Sequence, residues 1–206
     1  MPQEVPIDIN PISNPTPSQT ASFNPPTQTV MVNDLVFWRN NDAQATHQPK
    51  PAGGAADDWV KVPISKKLGT EVDTSNTVSF GPGTTKAGVP YVCALHPNEK
   101  GTIIVRNNIN INNVPGAAVG APQASFNPGK QTVQVNEVFI WSNNDVNPHW
   151  PAPSAQQQNA WMTQAIQPGK TSQNISISTP TDENGLAYIC VLHPNEKGTI
   201  VVEQSE

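Results

Sequence analysis

The apolar residues of this chain come in short runs. Thr29-Val30-Met31-Val32 and Leu35-Val36-Phe37-Trp38 flank Asn33-Asp34, and Thr132–Val135 and Val138–Trp141 flank Asn136-Glu137. Two apolar runs around an Asn-led pair predict a β-hairpin at each place. Gln173–Ser178 alternates polar and apolar residues after the turn sequence Gln167-Pro168-Gly169-Lys170, which predicts a half-buried strand. Tyr91-Val92-Cys93 and Tyr188-Ile189-Cys190 predict buried strands that stop at the Cys, and Gly101–Val105 and Gly198–Val202 predict closing strands. Short strands punctuated by Pro, Gly and Asn turns predict an all-β sandwich or barrel. No stretch carries the period of a long helix.

The same segments occur twice. Residues 21–42, ASFNPPTQTVMVNDLVFWRNND, match 124–145, ASFNPGKQTVQVNEVFIWSNND, at an offset of 103. Residues 93–105 match 190–202 at an offset of 97, with eleven of thirteen positions identical. Trp59 matches Trp161, so the first copy carries a few extra residues after it. Ile7-Asp8-Ile9-Asn10 matches Ile109-Asn110-Ile111-Asn112, and loop-like residues follow each before Ala-Ser-Phe-Asn-Pro. The Pro/Gly/Ala stretch at 114–122 resembles a linker. Its counterpart at 11–20 lies inside the first copy, so an intradomain loop is predicted instead. The boundary then falls near 106–108, giving abutting domains 1–107 and 108–206, each of about a hundred residues, a common domain size.

Composition removes several classes. Of 206 residues, 35% are apolar, 13% are charged and 22 residues are Pro, so the remainder is neutral and polar. Few strong helix formers remain, and a net charge of -5 is too small for a charged disordered chain. No apolar run approaches the length of a membrane span. Met1-Pro2-Gln3-Glu4 has neither the basic nor the apolar stretch of a secretory leader, and a processed chain would look the same. Eleven scattered Lys and Arg against sixteen Asp and Glu argue against nucleic-acid binding.

Six rarer residues carry the chemistry: His47, His96, His149, His193, Cys93 and Cys190. Each copy has one His shortly after a Trp-x-Asn-Asn-Asp segment. A Cys-x-x-His-Pro follows 46 residues later in the first copy and 41 in the second, with no His or Cys left over. Two imidazoles and one thiolate form a trigonal His2Cys copper site. A strand ending at the Cys lets the next turn bring the His at Cys+3 back to the same ion, while the earlier His arrives from a neighbouring strand end. A rigid β frame then limits ligand movement when the ion changes charge. Competing readings are weaker. A Cys93–Cys190 disulfide is the usual fate of two Cys outside the cytoplasm, but equivalent positions in two separate domains disfavour it. Haem attachment needs Cys-x-x-Cys-His, which is absent. Glu99-Lys100 and Glu196-Lys197 read either as solvated loop-tip pairs or as groups near the metal. Trp38 and Trp141 read as core rather than as electron relays. Trp150, next to His149, reads either as a cover for the metal or as partner surface.

These segments resemble the cupredoxins, the type 1 blue copper fold, and most closely its amicyanin- and plastocyanin-like domains. The resemblance rests on the Phe-x-Pro start, Val36–Asp42, His47 and Cys93-Ala94-Leu95-His96-Pro97, and on Ile140–Asp145, His149 and Cys190-Val191-Leu192-His193-Pro194. It covers essentially the whole chain. It implies two tandem Greek-key β-sandwich domains, one copper in each, outward-facing His96 and His193 as electron ports, and a periplasmic or extracellular location. One departure matters. The family turn reads Cys-x-x-His-Pro-x-Met-x-Gly, with Met as a weak axial ligand. Here Glu99 and Glu196 stand at that position, and none of Met1, Met31 and Met162 falls in the turn. The expected sets are therefore His47, Cys93, His96 and Glu99, and His149, Cys190, His193 and Glu196, unless the carboxylates turn outward. A bound carboxylate favours Cu(II) over Cu(I) and moves the colour from blue toward red or green. The same N2SO donors suit tetrahedral Zn(II), so zinc is an adventitious substitute. Many relatives have Asn after the first His to support the thiolate; this chain has Gln48 and Trp150.

The resemblance implies an electron carrier rather than an enzyme, working with a redox partner protein. The charge of -5 favours a basic partner by steering. Alternatives are copper storage or delivery, a mononuclear copper redox enzyme with an open site, and a structural module with vestigial sites. No Met-rich or His-rich segment supports storage or delivery. A multicopper oxidase needs His-x-His pairs and spare His, and this chain has neither.

Overall fold

The computed structural model describes residues 2–53, 59–81, 83–154, 161–162 and 164–204. Among the described residues there is no helix, and none is therefore long and apolar enough to cross a membrane. The chain divides into two compact units, Met1–Val105 and Arg106–Glu206.

The first unit contains β1 (Glu4–Thr16), β2 (Gln19–Asn24), β3 (Thr27–Met31), β4 (Leu35–Asn40), β5 (Pro49–Pro51), β6 (Asp73–Thr74), β7 (Val78–Ser79), β8 (Val89–Cys93) and the first part of β9 (Lys100–Asn113). One sheet runs β2-β1-β4, with β6 and β7 also paired to β4; the other joins β5, β8 and β9, with β3 on β9. β1 and β4 are parallel, in a register that sets Ile7 opposite Trp38. Alternate residues of these strands point into one core. Ile7, Ile9, Val36, Trp38, Tyr91, Ile103 and Val105 are fully buried there. Trp38 meets Tyr91 edge-on at a centroid distance of 5.5 Å and stacks on Trp59 at 6.1 Å, a packing worth more than area alone.

The second unit repeats the scheme with the rest of β9, β10 (Ala124–Asn127), β11 (Lys130–Gln134), β12 (Phe139–Asn143), β13 (Pro151–Pro153), β14 (Leu186–Cys190) and β15 (Lys197–Glu203). β9 lies between β10 and parallel β12, and the second sheet runs β11-β15-β14-β13. Ile109, Ile111, Trp141, Tyr188, Ile200 and Val202 fill the core positions of their counterparts. The fold is thus all-β and made of two-sheet, Greek-key sandwiches.

Four sequence expectations change. The runs around Asn33-Asp34 and Asn136-Glu137 are not hairpins. β3 pairs with β9 while β4 pairs with β1, and β11 pairs with β15 while β12 pairs with β9, so each turn crosses between sheets. The reason is burial. Val30 and Trp38 both face the core, from opposite layers, which a two-residue hairpin within one sheet does not allow. Asn33 and Asn136 take left-handed conformations, φ 71° and 65°, which Asn tolerates. Asp34 fastens the corner by accepting N–H bonds from Met31 and Gln3, both 2.9 Å. Second, Gln173–Ser178 forms no strand; Ile175 alone bridges Phe139. Third, residues 11–16 continue β1 as a strand against β2, whereas 114–122 forms turns between β9 and β10. Fourth, the closing strand expected at Gly101–Val105 continues unbroken to Asn113.

Gly101 and Gly198 are sterically required. A Cβ at either would overlap the ring of Tyr91 or Tyr188, both fully packed. Gly101→Ala is therefore expected to cost about 1–3 kcal/mol in chemical denaturation. Gly81→Ala, where added bulk meets nothing, should stay within about 0.5 kcal/mol. Equal losses in the two variants would contradict this packing.

Candidate metal centres

The first centre is assembled from two strand ends. β4 ends at Asn40, whose Nδ2 donates to the carbonyls of Ala45, Ile64 and Ser65 at 2.9–3.2 Å, and whose Oδ1 accepts the Asp42 N–H at 2.9 Å. This closes the loop that carries His47, and the His47 backbone pairs with Ile64. The His47 ring is fully buried. Its Nε2 lies 3.3 Å from Asp42 Oδ2, and its Nδ1 faces inward, 3.8 Å from Cys93 Sγ. A carboxylate on Nε2 holds that nitrogen protonated and leaves Nδ1 as the donor toward an ion. Cys93 ends β8. The turn after it closes with Glu99 N–H donating to His96 O at 2.9 Å, bringing His96 Nδ1 to 3.6 Å from the sulfur.

The second centre repeats this closely. Asn143 ties Asn147 and Ile166, and Asp145 Oδ2 lies 2.9 Å from His149 Nε2. Cys190 Sγ is 3.7 Å from His149 Nδ1 and 3.5 Å from His193 Nδ1. Both cysteines are free and buried, so no disulfide competes.

Glu99 and Glu196 are not solvated loop-tip charges. Both are almost fully buried, at 1% and 2% exposure. Glu99 Oε1 accepts the N–H groups of Thr20 and Ala21, each at 2.9 Å, and Oε2 lies 2.8 Å from His47 Nδ1. Glu196 Oε1 accepts the Ala124 N–H at 3.1 Å, and Oε2 lies 2.9 Å from His149 Nδ1. Backbone donors at the start of β2 and β10 replace the water the carboxylates lose, which is why they turn inward.

Within each centre, the four donor atoms lie within 4.8 Å of one another. Donors bound to one ion at about 2.0–2.3 Å stand roughly 3.3–3.8 Å apart in a tetrahedron. The sulfur–nitrogen distances match that spacing, as do His96–Glu99 and His193–Glu196 at 3.7 and 3.6 Å, whereas His47–Glu99 and His149–Glu196 stand closer, in hydrogen-bond range. Two imidazoles, one sulfur and one carboxylate oxygen, already convergent and buried except for the half-buried His96 and His193, fit copper or zinc.

The electrostatics follow from this packing. Burial alone lowers the His47 pKa, but Cys93 and Glu99 outweigh it and raise it to about 10. Burial likewise opposes charge on His149, and Cys190, Asp145 and Glu196 raise its pKa to about 9. Burial favours a neutral Glu99, yet His47 and the Ala21 and Thr20 N–H groups hold it below the usual carboxylate range.

The residue after the first His supports the sulfur through its backbone, not its side chain. The N–H groups of Gln48 and Trp150 donate to Cys93 and Cys190 at 3.4 and 3.3 Å. Their side chains do matching work elsewhere, bonding the carbonyls of Val60 and Met162. The Trp150 side chain is half-buried and packs on the second core, which includes Cys190.

Sequence reasoning missed Asp42 and Asp145 as ring-orienting carboxylates. The signal was the Asn-Asn-Asp repeated ahead of each His. Removing such a partner typically costs ten- to a hundredfold in metal affinity. Asp145→Ala should show this loss in a chelator competition titration. Asp42→Ala should lose less, because its contact is longer.

No family model matches the chain, and no curated protein matches it. Solved structures do. An oxidized mutant of amicyanin is 17% identical, covering 47% of this chain and 80% of its own, with a TM-score of 0.35. A purple cupredoxin from Nitrosopumilus maritimus is 19% identical over 47% of this chain and 98% of its own, TM-score 0.37. A mutant plastocyanin of fern is 18% identical over 47% and 99%, TM-score 0.36. Each alignment spans about half of the chain, and the chain carries two His-Cys-His-Glu groups. Glu99 and Glu196 supply the carboxylate of each group.

Proposed function

We propose that this chain is a copper-binding electron-transfer protein with one mononuclear His2CysGlu centre in each domain, domain 1 spanning 1–107 and domain 2 spanning 108–206. The observation that carries this reading is the convergence, twice, of two imidazoles, a thiol and a carboxylate inside a β frame. Copper in such a site supplies a one-electron Cu(II)/Cu(I) couple. The chain's residues do the rest. Asp42 and Asp145 orient the His rings, and the Gln48 and Trp150 N–H groups stabilise charge on sulfur. The Glu carboxylates add a hard anionic oxygen that favours the oxidised ion. Donors fixed by strand ends move little when the ion's charge changes, which suits fast exchange.

All four His of the chain belong to these two centres, leaving none for the second copper site a multicopper oxidase needs. An electron carrier rather than an enzyme is therefore the reading favoured. His96 and His193 are the only ligands with side-chain exposure above a few per cent, 13% and 34%, and each adjoins an exposed Leu, Leu95 or Leu192. They are the proposed electron ports toward a redox partner protein, favoured to be basic, in the periplasm or outside the cell.

Voltammetry of the copper-loaded chain should give reversible one-electron waves totalling two electrons per chain. Release of copper to a chelator on reduction, without reversible waves, would favour delivery instead.

A further inference from the structure

We propose that the two centres divide the work of metal handling: the first retains its ion and the second exchanges it. The inference rests on the metal-binding reading above and deepens it. The ligand turns are nearly identical in sequence, Cys-Ala-Leu-His-Pro-Asn-Glu-Lys-Gly and Cys-Val-Leu-His-Pro-Asn-Glu-Lys-Gly, so any difference comes from what holds them.

In the first unit the holder is the β1–β2 hairpin. Ser18, between the two strands, accepts from the Asn98 backbone N–H at 3.1 Å and from Asn98 Nδ2 at 2.9 Å through its hydroxyl. The next residues reach the carboxylate: the Thr20 N–H, the Ala21 N–H and the Thr20 hydroxyl, at 2.9, 2.9 and 3.3 Å, all bond Glu99 Oε1.

In the second unit β9 and β10 pair in the same way, but the Pro/Gly/Ala segment 114–122 replaces the end of the hairpin, and β10 begins only at Ala124. Thr20 becomes Gln123, whose side chain turns back to the carbonyls of Ala118 and Ala121. The segment largely bonds itself. What reaches the ligand turn is one bond from Asn195 Nδ2 to the Gly120 carbonyl and one from the Ala124 N–H to Glu196. The outward imidazole follows the same order: the His96 side chain is 13% exposed and that of His193 is 34%.

Release of an ion requires the ligand turn to open and water to reach the donors. Each hydrogen bond lost in opening raises that barrier. Among the described residues, five bonds tie the first turn and its carboxylate to the β1–β2 segment and two tie the second to its counterpart, while inside the turn the second has one bond the first lacks, His193 N–H to the Cys190 carbonyl at 3.1 Å. Greater exposure of His193 adds to the difference. Ser18 and Thr20 are thus positioning residues, acting on the ion through Asn98 and Glu99.

The test uses zinc as the probe, which has no redox state, on full-length chains that keep one centre. Cys190→Ala keeps the first and Cys93→Ala keeps the second. Each is loaded with Zn(II) and mixed with excess chelator. Release from the Cys93→Ala chain should be about tenfold faster or more. Ser18→Gly with Thr20→Gln, placed in the Cys190→Ala chain, should bring its rate toward that of the second centre. Equal or reversed rates for the two single-centre chains overturn the inference while leaving the metal-binding reading intact. Failure of both chains to hold zinc or copper overturns both. Should the loop variant not fold, the comparison of the two Cys variants still decides.

Discussion

Replacing Glu99 and Glu196 together by Met is expected to raise the reduction potential of both centres and to move the colour toward blue. The sign follows from charge. A carboxylate within bonding reach of the ion stabilises Cu(II) more than Cu(I), and a thioether does not. At about 3 Å and an effective dielectric of about 20, one such charge is worth roughly 5 kcal/mol, or at most about 0.2 V. Both carboxylates are buried with Oε2 turned toward the His nitrogens, so the geometry for this influence exists. Part of the charge is already offset at Glu99 by the Thr20 and Ala21 N–H groups, which keeps the shift below the limit. Spectroelectrochemistry of the wild-type and double-Met chains reads both effects. An unchanged potential and spectrum would mean the carboxylates do not contact copper.

The second large effect is on pH. His47 and His149 must lose the Nδ1 proton, keeping the one on Nε2, to bind an ion through Nδ1. With pKa values raised to about 10 and about 9, both rings hold a second proton at pH 7, and metal uptake displaces it. Affinity should therefore rise about tenfold per pH unit for each displaced proton. At the first centre this rise should continue toward pH 10, and at the second toward pH 9. Stability of the metal-free chain runs the other way. A His whose pKa is raised on folding stabilises fully below its unfolded value of about 6.5. That contribution is lost as pH climbs through the folded value. The depressed pKa of Glu99 contributes above the usual carboxylate range and is lost in acid. Denaturation midpoints of metal-free protein should thus fall from neutral pH toward pH 10, while competition titrations show tighter metal binding over the same range. A flat affinity profile would mean the rings are already neutral at pH 7.

Much of this was legible in the residues themselves. The duplicated Cys-x-x-His-Pro turns, each paired with a distant His, mark the donor sets, because few other uses of Cys and His leave nothing over. The match of Ile7-Asp8-Ile9-Asn10 with Ile109-Asn110-Ile111-Asn112 marks the start of each copy. Other features depend on partners far apart in sequence. Whether Glu99 turns inward is decided by the N–H groups of Thr20 and Ala21, nearly eighty residues earlier. Whether Asn33-Asp34 closes a hairpin or crosses between layers is decided by which sheet buries Val30 and which buries Trp38. Asp42 looked like part of a strand end, and its role appears only once the ring orientation of His47 is known. Trp150 was ambiguous because its neighbour in sequence is a ligand while its neighbours in space are core.

Everything proposed for this chain requires one sulfur and two imidazole nitrogens to meet on a single ion in each half. The most direct measurement is the visible absorption of the chain loaded with Cu(II), with copper counted per chain, in wild type and in Cys93→Ala, Cys190→Ala and the double variant. Wild type should hold two coppers with strong thiolate-to-copper absorption, about half of it lost in each single variant and all of it in the double. Absorption that survives in the double variant would contradict that requirement.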